Sequence, residues 1–448
     1  MTGLAVPSGG AGRQPSQAPL VAVCLAAYLL FCLQQVVVAG GAGGGLSLGS
    51  VALLGCMSAV SAWALWRQGV PPCLRRPLLA ILACMAALAA SVLASGNASL
   101  AFRFAVRYAT ALLALWAMLN LAVACPRWPR AATLAALIAL WLNLALGVAV
   151  LVQWPPALRF SLAFHAEDTF KYLPRISGMY EHPALLAASS LVVALLVLQL
   201  HRRRELGRAA LALALLGAAG ALALAQVRNA LVPAGLLLAW CAWPRSGLSR
   251  QHRRLAAAAL LGLAALSVLV LWQRYADMTS ASRENLLTAV SLGRTYLWAG
   301  AVEAWRGHPW FGLGPGVFQF LVPDYTGGRF LRGELHAHNL VLAALSETGL
   351  CGLLAGLGLL HVLWAPLLRA GGGMRRWALA WLCLLLGVGV FDFYLPFYPF
   401  SLHAALAVAL LHAIARKMPC RPDPELRGDS SPRFRMHRDR TARSRRSG

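Results

Sequence analysis

Acidic residues are scarce in this chain. Of its 448 residues, 15 are Asp or Glu against 40 Lys or Arg, and all charged residues together make up only 12%. Soluble globular domains usually carry about 25% charged residues. The apolar share here is 59%, and the mean hydropathy is +0.64. This balance excludes an ordinary soluble protein and indicates a membrane protein.

Several motifs of soluble enzymes and metal proteins are also missing. The 10 cysteines include no C-x-x-C pair, so neither a disulfide framework nor a zinc site is indicated. No P-loop and no G-x-G-x-x-G after a strand is found, which argues against a nucleotide. The segments expected outside contain no D-x-D motif, so we expect no metal and no cofactor. The net charge of +25 would suit nucleic acid, but most basic residues lie in short loops or the C-terminal tail, so no nucleic-acid partner is expected.

Long apolar runs are what the chain has instead. A bilayer core about 30 Å thick needs about 20 apolar residues per helix, and runs without period-two alternation favour helices over a barrel. Twelve spans are predicted, near residues 20–39, 46–66, 77–95, 102–124, 131–153, 183–200, 209–226, 229–243, 255–273, 338–364, 376–391 and 400–415. The sequence therefore predicts an all-α polytopic membrane protein with about 12 transmembrane helices.

The positions of basic residues agree with this topology. With a cytoplasmic N-terminus, the five predicted inner loops hold 3, 2, 4, 4 and 3 basic residues, whereas the first two outer loops hold none. Both termini are then cytoplasmic. The predicted segments are a disordered N-terminus (1–19), spans 1–9 (20–273), a long outer loop (274–337), spans 10–12 (338–415) and a basic tail (416–448) that touches anionic lipid.

Among the arginines that lie outside the predicted inner loops, five are candidates for a binding site. Arg103 and Arg107 share one face of the fourth span near its outer end, and Arg175 lies in the outer segment after the fifth span. Arg228 separates two apolar runs at the outer boundary, and Arg294 lies in the long outer loop. Singly, most could snorkel to the interface or lie on a solvated loop, whereas Arg228 favours function. Together they suit a phosphate or pyrophosphate on a lipid.

The long outer loop ends in two histidines. Apolar positions 297, 298, 301, 302 and 305 predict an amphipathic helix on the membrane, which a glycine-rich turn at 308–316 ends. His336 and His338 follow, immediately before the tenth span. From spacing alone, two roles of His338 are equally open. It caps the helix start or lies in water, or its neutral imidazole accepts or orients the proton of a sugar hydroxyl. Glu347, nine residues later, is expected to hold helices together rather than to share a face with His338.

Motifs across about 170–400 resemble those of the bacterial O-antigen ligase and O-antigen polymerase superfamily. The residues that carry the resemblance are Gly293-Arg294 with Trp298, Pro309–Gly316, and His338-Asn339 with Leu342, Leu345, Glu347, Gly349 and Gly352. Pro174–Gly178 with His182-Pro183, and the Arg228 segment, look like two earlier motifs of the family. One departure is Val227-Arg228 where members commonly have Ser-Arg, and it leaves the arginine intact.

The resemblance implies a GT-C-like membrane glycosyltransferase whose large periplasmic loop lies between helices 9 and 10. Such ligases move O-antigen from undecaprenyl pyrophosphate to lipid A-core oligosaccharide, without metal and with inversion, at the periplasmic face of the inner membrane. On this basis Arg228 and Arg294 would clamp the donor pyrophosphate, supported by Arg175 and by Arg103 or Arg107. His338 would activate or orient the acceptor hydroxyl. Supporting roles would fall to His336, Asn339 and Asp392.

Other functions stay open at this point. An O-antigen polymerase or a protein O-oligosaccharyltransferase would use the same lipid-linked donor and similar motifs, and would differ in its acceptor. A transporter of lipid-linked glycans would also need outer arginines. It should, however, show helices broken at mid-membrane in paired halves, and the sequence gives no sign of these.

Overall fold

The structure is a computed structural model, and every regular element in the part of the chain that it describes is an α-helix. The described residues are 69–125, 127–158, 175–178, 180, 182–227, 230–243, 249–251, 253–262, 294–329, 336–391 and 398–416, with isolated helical residues at 55–66 and at 265. The helices are α1 (Pro72–Ala94), α2 (Ala98–Ala124), α3 (Trp128–Leu151), α4 (Pro183–Arg202), α5 (Arg208–Ala225), α6 (Leu231–Ala242), α7 (Arg294–Gly307), α8 (Phe318–Thr326), α9 (Leu340–Arg369), α10 (Gly372–Phe391) and α11 (Tyr398–Arg416). An all-helical membrane protein is what the sequence predicted.

Local sequence explains where several helices begin. Proline occupies the first turn of α1, α3 and α4, where a missing backbone N–H costs nothing. The side chain of Asn97 caps α2 by accepting a hydrogen bond from the Leu100 N–H. His182 caps α4 in the same way, through Nδ1 and the Ala184 N–H. The starts of these helices are therefore fixed by residues just outside the apolar runs.

Helix α4 lies at the centre of the bundle. Its apolar residues surround the whole helix, as expected of a buried span, and 94% of its most apolar window is buried. It packs against α3, α5 and α11, while α11 also packs against α2. A second row of contacts runs from α2 through α1 to α9, α10 and α6. Short connections make consecutive helices antiparallel, so alternate helix ends meet at the same end of the bundle.

A smaller core caps one end of this bundle. Helices α7 and α8 pack on each other, and α7 also packs on α9. The buried face of α7 consists of Leu297, Gly300, Ala301 and Ala304. This face is rotated from the apolar stripe that the sequence suggested, and it lies against protein. The nearby end of the bundle carries the glycine-rich turn at 309–316, which we call the glycine turn, and we call this end of the bundle the turn end.

Six described helices are long and apolar enough to cross a membrane: α1, α2, α3, α4, α5 and α9. Helix α6 is apolar but shorter, as is the part of α11 from Phe400. Nine of the predicted spans coincide with α1–α6 and α9–α11. The predicted spans near 20–39, 46–66 and 255–273 lie wholly or largely outside the described residues. The total of twelve spans therefore stays a prediction.

Candidate active site

Helix α9 is broken close to its start. Gly349 has φ 64° and ψ −163°, which is not a helical conformation and is accessible mainly to glycine. A break of this kind deprives neighbouring carbonyl and N–H groups of their partners within the helix. Buried groups of this type must find other partners, because an unpaired one costs about 1–3 kcal/mol.

The glycine turn supplies these partners. Its Leu313 and Gly314 N–H groups donate to the carbonyls of Ser346 and Glu347, each at 2.9 Å. In return, the N–H groups of residues 350 and 351 donate to the carbonyls of residues 309 and 310, at 2.9 and 3.1 Å. The turn and the broken helix therefore complete each other's backbone hydrogen bonding.

Two serines of α1 and its C-terminal end fix the other side of the turn. Ser95 Oγ donates to the Leu313 carbonyl at 2.6 Å. Ser91 Oγ lies 2.7 Å from the Phe311 carbonyl and 2.8 Å from the Glu347 carbonyl, so its hydroxyl can donate to either. The glycine turn is thus held between α1 and α9 by side-chain and backbone hydrogen bonds.

Glycine is required in this turn for two reasons. Gly312, Gly314 and Gly316 all have positive φ values, between 67° and 113°. A Cβ atom at Gly312 would overlap the backbone of Glu347, and one at Gly316 would overlap the ring of Phe104. The spacing of three alternating glycines therefore reflects close approach of α2 and α9 to the turn.

The carboxylate of Glu347 lies at the centre of this junction. Its side chain is 3% exposed. One carboxylate oxygen, Oε2, accepts a 2.6 Å hydrogen bond from the Tyr108 hydroxyl on α2. The same oxygen accepts a 2.9 Å hydrogen bond from the Gly316 N–H. Glu347 therefore joins α2, the glycine turn and α9, in agreement with the prediction that it holds helices together.

The two sequence-predicted histidines lie against each other just before α9. The ring centroids of His336 and His338 are 4.2 Å apart, with 35° between the ring planes. His338 has φ 46°, a left-handed conformation that is uncommon for a residue other than glycine. His336 is close enough to Glu347 for an electrostatic interaction with its carboxylate. Ala337 between them is fully buried and belongs to the smaller core.

The cap of α9 is Asn339, not His338. The Asn339 side-chain oxygen accepts hydrogen bonds from the Val341 and Leu342 N–H groups, both at 3.0 Å. This arrangement is a helix N-cap, in which the side chain replaces missing helical partners. The capping role that the sequence left open for His338 therefore belongs to its neighbour.

Arg103 and Arg107 lie one turn apart on α2, close to the junction. Arg103 is exposed, whereas Arg107 is half-buried. The Arg107 guanidinium carbon lies 5.5 Å from the ring centroid of Phe104, and its buried Nε has no hydrogen-bond partner among the described residues. Arg107 is adjacent in sequence to Tyr108, so α2 contributes both a cation and a hydroxyl to the turn end.

Arg294 is the first residue of α7, the helix that packs on α9. Its side chain is half-buried. Further along the same region, the Arg329 guanidinium lies over the ring of Tyr296 at 4.0 Å. Helix α7 thereby links Arg294 to the same end of the bundle as the histidine pair.

Arg175 belongs to a segment that lies across the ends of α3 and α5. The Ile176 N–H donates to the Leu224 carbonyl at 3.1 Å, close to the end of α5. A Cβ atom at Gly178 would lie 2.7 Å from the Asn143 carbonyl of α3, which explains the glycine there. The segment is therefore held between α3 and the end of α5.

Helix α10 packs between α6 and the start of α9, which follows the histidine pair in the sequence. A Cβ atom at Gly387 would lie 2.8 Å from the Leu236 side chain of α6, and one at Gly389 would lie 3.1 Å from Leu340 at the start of α9. The end of α10 therefore packs against both α6 and α9. Arg228 and Asp392 themselves lie outside the described residues.

Sequence reasoning missed Ser91 and Ser95, which donate to carbonyls of the glycine turn, and Tyr108, which donates to the Glu347 carboxylate. A tyrosine next to Arg107 in an apolar span was the available signal. It also missed the break at Gly349, although a glycine two residues after a buried acid in a long apolar helix was visible. Within the described residues, no three His, Cys, Asp or Glu side chains come together as metal ligands would.

Comparison with known proteins agrees with this geometry. The family model described as O-antigen ligase matches residues 213–357, which include α7, α8, the glycine turn, the histidine pair and the broken part of α9. No curated protein matches the chain. The matched segment contains the junction built around Glu347 and His338, and in this segment the chain is similar to the O-antigen ligase family.

Proposed function

We propose that this protein transfers O-antigen glycan from undecaprenyl pyrophosphate to lipid A-core oligosaccharide at the periplasmic face of the bacterial inner membrane. Similarity to the O-antigen ligase family over residues 213–357 supports a glycan transferase that takes lipid-linked substrates. One observation carries the proposal that the reaction takes place at the turn end: the rings of His336 and His338 lie against each other there.

The distribution of charge supports the proposed orientation. At the end of the bundle away from the glycine turn, the helix ends carry many arginines, among them Arg75, Arg76, Arg127, Arg130, Arg202, Arg208, Arg369 and Arg416. Cytoplasmic loops are enriched in Lys and Arg. The turn end then faces the periplasm, where an undecaprenyl-linked glycan and lipid A-core would meet.

Arginines support the proposed donor site. Arg294 begins α7, which packs on α9, and Arg175 directly precedes Ile176, whose N–H donates to Leu224 near the end of α5. Guanidinium groups bind phosphate oxygens in a bidentate manner. Arg228 and Arg294 hold the donor pyrophosphate, with Arg175 and Arg107 or Arg103 in support. Their charge stabilises the pyrophosphate anion as it leaves, without a metal or another cofactor.

In the proposed reaction, the acceptor hydroxyl attacks the anomeric carbon from the face opposite the pyrophosphate. The new C–O bond forms as the bond to the pyrophosphate oxygen breaks, and that oxygen keeps the electron pair. His338 accepts or orients the hydroxyl proton, supported by His336 and Asp392, while Asn339 fixes the start of α9. The anomeric configuration inverts.

The test uses purified protein in liposomes with undecaprenyl-pyrophosphate-linked glycan and a chelator. The proposal predicts glycan on lipid A-core only when this acceptor is present, and a large loss of transfer for His338→Ala and for Arg228→Ala at normal amounts of folded protein. Lengthening of the lipid-linked chains without added acceptor would instead identify a polymerase. Glycan on an added protein acceptor would identify a protein O-oligosaccharyltransferase. Translocation of the donor without any new glycosidic bond would identify a transporter.

A further inference from the structure

The proposed reaction leaves the buried carboxylate of Glu347 without a chemical task. A charged group that is 3% exposed is costly unless hydrogen bonds and nearby charges compensate for its lost water. Simple attachment of two apolar helices would not require such a group, because apolar packing does this at lower cost. We therefore look for the role of the Glu347 carboxylate in the groups that it contacts.

Groups from three parts of the chain meet at this carboxylate. Tyr108 on α2 and the Gly316 N–H in the glycine turn both donate to Oε2. His336, in the segment before α9, interacts with the carboxylate electrostatically. Arg107 stands next to Tyr108 and acts on it electrostatically. The carboxylate is thus the point where the turn, α2 and the histidine segment are connected.

The histidine segment is short and firmly bounded. Its residue Ala337 is fully buried in the smaller core, and Asn339 caps α9 immediately after it. The His336 ring lies against the His338 ring. Any group that fixes the His336 ring therefore also restricts the His338 ring, whose backbone is held in an uncommon left-handed conformation.

We propose that Glu347 is a positioning residue: its buried carboxylate holds the glycine turn and α2 in register with the segment of His336 and His338, and thereby orients the histidine pair for glycan transfer. This inference rests on the proposed function. Tyr108 contributes to the same positioning, because its hydroxyl donates to Glu347 Oε2, which also accepts from the Gly316 N–H. Glu347 itself does not touch the substrate.

The experiment compares kcat and KM for the donor lipid in liposomes, per amount of folded protein. Glu347→Ala should lower kcat about 100-fold and leave KM within about twofold, since the histidine pair loses its orientation but the donor site does not change. Glu347→Gln should recover most of this loss, because an amide oxygen still accepts both hydrogen bonds. The matched control is Glu303→Gln on α7, an exposed acid, which should keep full activity.

A double-mutant cycle separates positioning from general stability. If Glu347 acts through His336, the double variant Glu347→Ala/His336→Ala should be no slower than the slower single variant. Losses that multiply would overturn the proposal. If Glu347→Ala does not fold, the same cycle is run with Tyr108→Phe, which removes one hydrogen bond from the Glu347 carboxylate. In that cycle too, losses that multiply overturn the proposal and a shared loss supports it.

Hydrogen exchange gives a readout that needs no activity. Backbone amides of residues 336–340 and of Gly316 should exchange faster in Glu347→Ala than in wild type, and at the wild-type rate in Glu303→Gln. Unchanged exchange in Glu347→Ala overturns the proposal. An inactive wild type with faster exchange in Glu347→Ala would reject the proposed function while keeping the structural link between Glu347 and the histidine segment.

Discussion

The hydroxyl of Tyr108 donates a 2.6 Å hydrogen bond to the carboxylate of Glu347, 239 residues further along the chain. The bond joins α2 to the broken part of α9 in an apolar environment. A hydrogen bond to a charged group is stronger than one between neutral groups, and leaving such a group without its partner costs more than the bond contributes. We therefore expect the stability of the protein to fall when only the hydroxyl oxygen of Tyr108 is removed.

Tyr108→Phe should destabilise the protein by about 1–3 kcal/mol, because the ring remains while the buried carboxylate loses a donor. Thermal unfolding in detergent, followed by tryptophan fluorescence, measures this as a lower Tm. The matched control is Tyr296→Phe, whose ring still lies beneath the Arg329 guanidinium. This control should change stability by no more than about 0.5 kcal/mol. Equal effects of the two substitutions would contradict the assigned role of the Tyr108 hydroxyl.

Gly316→Ala should abolish transfer and lower Tm strongly. Its φ is +69°, and a Cβ atom there would overlap the ring of Phe104 on α2. Gly327 is a matched control, since its φ is +63° but nothing lies within 4 Å of the position of a Cβ atom. Gly327→Ala should therefore cost only the backbone strain, about 1 kcal/mol, and keep transfer activity. If both variants behave alike, close approach of α2 to the glycine turn is not what requires glycine.

Apolar runs were enough to locate the nine described helices α1–α6 and α9–α11. The long spans have no competing polar pattern, and proline or a capping residue marks several of their starts, as at Pro183 and Asn97. The sequence also singled out the glycine turn and His338, because glycines at alternate positions and a histidine before an apolar run are rare combinations. These features are local, so they can be recognised without knowledge of contacts.

Contacts between distant parts of the chain could not be predicted in the same way. Nothing near Ser91 or Tyr108 in the sequence indicates that their partners are Phe311 and Glu347. The buried face of α7 differs from the predicted one by a rotation about the helix axis. Trp298 and Val302 suggested a membrane-facing stripe, whereas the buried face includes the small residues Gly300, Ala301 and Ala304. Small residues at a helix interface carry a weak hydrophobic signal although they permit close packing.

Asn339→Ala should destabilise the protein by about 1 kcal/mol, since the first turn of α9 loses the acceptor for two backbone N–H groups. Asn339→Asp should keep the stability, because a carboxylate caps a helix equally well. Thermal unfolding and transfer activity are measured together. Transfer should fall in Asn339→Ala and stay near wild type in Asn339→Asp. A loss of transfer in Asn339→Asp at wild-type Tm would mean that Asn339 contacts substrate rather than only fixing the helix start.

Arg294→Lys tests whether the fork of a guanidinium, rather than positive charge alone, is needed at the proposed donor site. Lysine keeps the charge but cannot bind two phosphate oxygens through a planar fork. We expect a loss of roughly 100-fold in kcat/KM for the lipid-linked donor, the size of effect seen when one stabilising donor is removed from a developing anion. Arg306 lies on the same helix and is exposed, so Arg306→Lys is the matched control and should be nearly silent. Transfer by Arg294→Lys at the rate of Arg306→Lys would remove Arg294 from the proposed pyrophosphate clamp and leave Arg228 as its main candidate.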